Sequence, residues 1–260
     1  MINMNATKTR YYIANWKMYQ SLTSIKKFLS LCKADENFRT QYSHKYIGVA
    51  ASYEHLYFVH KKLNKMNIHS GAQDCSDFLQ GAYTSQCSVR SLQEMNISFT
   101  IIGHSEVRLH CGQSNTMIAS KFKLLLAANI NPILCIGETL IQKEEGLTLQ
   151  VLYDQLEEVL TYLQTYSGDT KIFIAYEPIY AIGTGVIPNK QDLEQVFYFL
   201  KKLVKELPIA KNVMFLYGGS VSSQTLPQLN IDEISGFLIG KASIDFQELK
   251  KIVQSDGKLI

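Results

Sequence analysis

Three side chains suited to holding an anion and moving a proton stand just after short apolar runs: Lys17, His104 and Glu177. Each type brings a different capability. An ammonium holds a negative group, and an imidazole donates a hydrogen bond to a carbonyl. A carboxylate at the end of an apolar strand is costly unless it is partnered or used, so Glu177 reads as a general base. Glycine-containing segments lie close by: Gly183-Thr184-Gly185, Gly218-Gly219-Ser220 and Gly240-Lys241. Glycine lets backbone approach a ligand closely, and free N–H groups ahead of a short helix suit a phosphate. Together these types suggest proton transfer on a small phosphorylated substrate.

Other chemistries find less support. The five cysteines, Cys32, Cys75, Cys87, Cys111 and Cys135, are scattered without CxxC or Cys/His spacing. Neither a disulfide framework nor a zinc site is indicated, and no metal and no cofactor is expected. The run from Gly236 to Lys241 is one residue short of a Walker loop and carries Ala242 at its Ser/Thr position. Gly183-Thr184-Gly185 lacks the third glycine of a dinucleotide fingerprint, because position 188 is proline.

The elements that must position these groups alternate along the chain. Candidate strands are Tyr11–Ala14, Tyr46–Ala51, Ile68–Ala72, Phe99–Ile102, Pro132–Ile136, Lys171–Tyr176, Met214–Tyr217 and Gly236–Ile239. Several are apolar on both faces, as strands between a barrel interior and a helical shell must be. Helical stripes intervene: Leu22, Ile25, Leu29 and Cys32; Leu149, Leu152, Leu156, Val159 and Leu163; Leu193, Val196, Leu200 and Leu203. Ser21 and Asn189 are candidate N-caps. Eight strands, each followed by helix, with no linker between them, predict an α/β fold, a single-domain (β/α)8 barrel over residues 1–260, the barrel proper at about 11–253. An open doubly wound sheet is the alternative that periodicity leaves standing. In a barrel, the residues just after each strand line the face where chemistry occurs.

The chain has 260 residues, 46% of them apolar and 19% charged, and a formal net charge of +3. That suits one barrel, which typically takes about 250 residues. The balance is too mild for nucleic-acid binding, and no basic run or aromatic-basic stripe occurs. No apolar stretch of about 18 residues predicts a membrane span. The polar first ten residues lack the core of a signal peptide, so a reduced, cytoplasmic setting is expected and the sequons at Asn5 and Asn96 carry little weight.

Four segments, Asn15-Trp16-Lys17-Met18, Ile102-Gly103-His104-Ser105-Glu106, Ala175-Tyr176-Glu177-Pro178 with Ala181-Ile182-Gly183-Thr184-Gly185, and Tyr217-Gly218-Gly219-Ser220, resemble the signatures of triosephosphate isomerases in order and spacing. The resemblance covers about Tyr11 to Val253. It implies a metal-free isomerisation in glycolysis and gluconeogenesis that interconverts dihydroxyacetone phosphate and D-glyceraldehyde 3-phosphate through an enediolate. Glu177 would shuttle the proton, His104 polarise the carbonyl, Lys17 hold the substrate and Asn15 position its oxygen. N–H groups of Gly183, Ser220, Gly240 and Lys241 would grip the phosphate, with Glu106 and Cys135 in support. Pro178-Ile179-Tyr180-Ala181-Ile182-Gly183-Thr184-Gly185 would form a lid. A homodimer is implied too, the loop Gln80–Gln86 reaching into the neighbouring subunit with Thr84 against its site.

Some positions depart from the family pattern. Tyr180 replaces a tryptophan of the lid, and its hydroxyl is expected to reach Glu138. Lys241 replaces a glycine, and Gln113 a structural glutamate. Gln86 and Val107 replace the two partners of an ion pair across the subunit interface. Two other readings remain: a different phosphate-binding barrel enzyme, such as an aldolase or epimerase, and a catalytically impaired paralogue. The first expects metal ligands or a Schiff-base lysine on a later strand; the second expects erosion of Lys17, His104 or Glu177.

Overall fold

The computed structural model describes residues 9–40, 45–229 and 231–255. Asn5, most of the polar N-terminal stretch and the final residues of the expected 1–260 domain lie outside them. Eight parallel strands close into a barrel in chain order: β1 (Arg10–Asn15), β2 (Lys45–Ala51), β3 (His69–Ala72), β4 (Phe99–Ile102), β5 (Asn131–Ile136), β6 (Ile172–Tyr176), β7 (Val213–Tyr217) and β8 (Gly236–Ile239). The pairing of β1 with β8, Tyr11 opposite Gly236 through Ala14 opposite Ile239, decides for the barrel over the open sheet. Every expected strand lies within a residue of an observed one.

Alternation along each strand divides the apolar residues between two cores. Tyr11, Ile13, Phe99, Ile101, Phe173 and Leu238 point into the barrel, whereas Tyr12, Ala14, Ile102 and Ile174 meet the helices outside. The interior is filled asymmetrically. A β-carbon added to Gly48 or Gly71 would fall 2.6 or 2.1 Å from the ring of Phe99, so these glycines leave room for one large side chain on β4.

The helical stripes hold with one exception. Ile25, Phe28, Leu29 and Cys32 bury one face of Leu22–Ala34, but Leu22 itself, first residue of the helix, is exposed. Ser21 caps this helix by accepting from the N–H of Ser24, and Asn189 caps Lys190–Val204 by accepting from Asp192. No helix of the described residues is long and apolar enough to cross a membrane.

Candidate active site

The strand ends bring the expected residues to one cavity of about 880 Å³. At the end of β1, Lys17 adopts a left-handed backbone (φ 49°), uncommon for a residue with a side chain. Two amides hold it there. Asn15 Oδ1 accepts from the Lys17 N–H at 3.1 Å, and Gln73 Nε2 donates to the Lys17 carbonyl at 2.9 Å and to that of Ala50 at 3.1 Å. The Lys17 ammonium meets Glu106 Oε1 at 2.6 Å.

His104 closes β4 and caps the helix Ser105–Cys111. Its Nδ1 accepts the backbone N–H of Glu106 at 3.2 Å, which requires a lone pair on that nitrogen. With Nδ1 engaged in this way, Nε2 is the ring nitrogen left to face Glu177. Glu106 Oε2 lies 3.6 Å from Nδ1, too far to compete with the helix N–H for it.

Glu177 follows β6 and is buried, with Oε2 3.6 Å from His104 Nε2. That oxygen has no hydrogen-bond partner among the described residues. Glycines make room for it: a β-carbon on Gly137 would sit 1.9 Å from the Glu177 carbonyl, and one on Gly218 would sit 2.4 Å from its Cγ. Behind it lies Cys135, whose thiol burial pushes far up from its ordinary range, the negative charge of Glu177 adding to this. Cys135 itself is packed in the barrel-interior core.

Gly183, Ser220, Gly240 and Lys241 line the same cavity. Among the described residues, none of their N–H groups has a hydrogen-bond partner. β8 leads through Gly240 into the 3₁₀ turn Lys241–Ile244. The expected lid segment borders the cavity through Ile182, Gly183 and Gly185. Its 3₁₀ turn Ile179–Ala181 leads to Gly183 and Gly185, both with positive φ. Ser220 fastens it by donating from Oγ to the Ala181 carbonyl at 2.6 Å while accepting from the Gly185 N–H at 3.0 Å. Among the described residues, no three His, Cys, Asp or Glu side chains group as metal ligands.

A family model described as triosephosphate isomerase matches residues 10–256. The chain belongs to the triosephosphate isomerase family. It is 35% identical over 250 residues to the triosephosphate isomerase of Buchnera aphidicola subsp. Schizaphis graminum, covering 95% of this chain and 97% of that one. It is also 35% identical over 254 residues to that of Aquifex aeolicus (95% and 99%), and 35% identical over 250 residues to that of Dictyoglomus thermophilum (93% and 97%).

Against the triosephosphate isomerase pattern, two of the departures have structural explanations. Gln113 does not leave its charge unreplaced: Asp74 supplies the carboxylate, pairing with the fully buried Lys121 ammonium at 2.8 and 2.9 Å and accepting from Gln113 Nε2 at 2.5 Å. Tyr180 does not reach Glu138, contrary to expectation. Glu138 instead accepts from the Tyr176 hydroxyl at 3.0 Å and Thr148 at 3.3 Å, while the Tyr180 hydroxyl accepts from Lys143 at 2.9 Å. Burial raises the Glu138 carboxyl above the usual carboxylate range despite these bonds. Thr84 is exposed on its loop, with Phe78 and Tyr83 stacked nearby at 4.0 Å between centroids.

Three positioning residues were not anticipated. Gln73 sits one residue past β3, a strand end the sequence reading passed over. Arg108 donates to the carbonyls of Gly103 at 2.7 Å and Cys135 at 3.2 Å and to Asn115 Oδ1 at 2.6 Å, tying the ends of β4 and β5 together. Gln155 brackets Gly137, accepting from its N–H at 2.8 Å and donating to its carbonyl at 3.0 Å. Polar residues within six positions beyond a strand end are the signal common to Gln73 and Arg108. Gln155 lies on a distant helix and offers none.

Proposed function

We propose that this chain is a triosephosphate isomerase that interconverts dihydroxyacetone phosphate and D-glyceraldehyde 3-phosphate without metal or cofactor. Its substrate phosphate is held by the four N–H groups of Gly183, Ser220, Gly240 and Lys241, an anion site of backbone dipoles. Glu177 Oε2 takes a proton from the carbon beside the carbonyl and returns it to the neighbouring carbon. Between the two transfers an enediolate exists, and its oxygens face the Nε2–H of His104 and the ammonium of Lys17, with Asn15 and Glu106 fixing that lysine. A hydroxyl proton moves between the two oxygens in the same cycle, so reactant and product have the same composition. Donors already aimed at the developing charge lower the barrier without reorganising.

The observation that carries this reading is the pairing, in one buried cavity, of an unpartnered carboxylate oxygen with an imidazole nitrogen 3.6 Å away. A coupled assay tests it: D-glyceraldehyde 3-phosphate should be consumed with dihydroxyacetone phosphate formed in equal amount, unchanged by a chelator. No conversion would refute it.

The same reading extends to assembly and setting. The chain is taken as one barrel domain over residues 1–260, acting in the cytoplasm on a free metabolite, with neither nucleic acid nor membrane as partner. It works as a homodimer, the loop Gln80–Gln86 entering the partner with Thr84 against the neighbouring Lys17 and His104. Exposed Phe78, Leu79 and Tyr83 on or beside that loop support the assembly, since they would be covered in it.

A further inference from the structure

One ammonium joins the first turn of the lid to the helix that follows the lid. Lys143 lies on the short helix Leu140–Glu144, which follows β5 and is fixed by a capping box between Thr139 and Gln142. Its Nζ donates to the Tyr180 hydroxyl at 2.9 Å and to Asp192 Oδ2 at 2.6 Å. Tyr180 belongs to the first turn of the lid, and Asp192 to the first turn of the helix Lys190–Val204, into which the lid runs. The backbone N–H of Asp192 donates in turn to Asn189 Oδ1, so the cap fixes the backbone from which this carboxylate extends. The ammonium is 4.9 Å from the Tyr180 ring centroid, hence at the hydroxyl end of the ring and not over its face.

The contact is made in the lid position in which Ile182, Gly183 and Gly185 line the cavity and Ser220 holds Ala181 and Gly185. A tryptophan at 180 offers a donor and cannot accept from an ammonium, so the hydroxyl is what makes this bond possible here. We propose that Lys143 is a positioning residue for the reaction, holding Tyr180 and Asp192 together so that the lid rests with its glycine N–H groups on the phosphate. The inference builds on the proposed isomerase function, because the lid matters through the phosphate it covers.

Lys143→Met keeps the chain length and removes both bonds. It should weaken binding of phosphoglycolate, a phosphate-bearing carboxylate analogue of the enediolate, roughly 3- to 10-fold, the range of one or two partly exposed hydrogen bonds. KM for D-glyceraldehyde 3-phosphate should rise, more turnovers should end in inorganic phosphate, and slow turnover of phosphate-free glyceraldehyde should stay unchanged. Hydrogen–deuterium exchange across residues 178–188 should lose the protection that phosphoglycolate confers on the wild type. Lys143→Arg should restore it, and Tyr180→Phe should add nothing to the Lys143→Met effect. Unchanged inhibitor affinity and lid exchange in Lys143→Met would overturn the proposal, and so would an equal loss on both substrates. Asp192→Asn, which removes only the partner charge, must shift lid exchange in the same direction. If the wild type failed to isomerise while Lys143→Met still lost lid protection, the proposed function would fall and the positioning role would stand.

Discussion

The position of Glu177, the proposed base, depends on an absent atom. In Gly218→Ala, the new β-carbon would lie 2.4 Å from Glu177 Cγ, 2.8 Å from Oε1 and 3.0 Å from Cδ. Ordinary van der Waals contact begins near 3.4 Å, so Cγ has to retreat by about 1 Å. The first contact is at the root of a buried side chain, not at its flexible end, so the carboxylate moves with it. A misplacement of about 1 Å in a reacting group costs roughly 10²-fold in rate, or about 2.7 kcal/mol of barrier at 1.36 kcal/mol per decade. The proposed phosphate donors are untouched, so kcat should fall by roughly 100-fold while KM changes little. Extra volume in a packed region costs about 1–3 kcal/mol of stability, so the variant should still fold. Coupled kinetics in both directions, beside a thermal melt, would measure this. A kcat within about threefold of wild type would show that Glu177 does not need its present position, and the geometric argument for its role would fail.

Other expectations follow from neighbouring contacts. Glu177→Gln, which keeps shape but accepts no proton, should reduce kcat by about 10²–10⁴-fold, and His104→Gln should impair turnover with the melting temperature retained; near-normal rates would remove either residue from the chemistry. Asp74→Asn strands the buried Lys121 charge and should cost about 3–5 kcal/mol by denaturant titration, whereas a loss below about 1 kcal/mol would mean that the pair is effectively solvated. Glu138 has a raised pKa in the folded state, so the folded chain binds more protons than the unfolded one in the window between the two values; stability should decline as pH rises from the usual carboxylate range, and Glu138→Gln should flatten that slope. Sedimentation across a dilution series should show a dimer less sensitive to salt than its relatives, weakened by Val107→Arg alone and partly rescued by adding Gln86→Glu; a fully active monomer at micromolar concentration would end the assembly proposal.

What could be read from the sequence was whatever depends on local pattern. Strands buried on both faces stand out as apolar runs, and Lys17, His104 and Glu177 could be located because they follow such runs directly. Closure of the barrel could not be read this way, because the pairing of β1 with β8 joins residues more than 220 positions apart. The exposed start of the first helix shows the limit of periodicity, which assigns a face but not where the face ends. The Glu138 partner was misjudged for a similar reason. Tyr176 and Tyr180 carry the same hydroxyl four residues apart, and only the direction of the chain leaving β6 decides which one faces the carboxylate. Gln113 looked like a lost charge because the compensating Asp74 is 39 residues away.

Lys17 has one more consequence, for anyone reshaping the protein. Its left-handed backbone costs roughly 1–2 kcal/mol that a glycine would not incur. A library selected for heat resistance alone would therefore be drawn toward glycine at position 17, gaining melting temperature while discarding the cation that lines the cavity. Thermal screening of this barrel has to be coupled to turnover at every round, because at this residue durability and catalysis select in opposite directions.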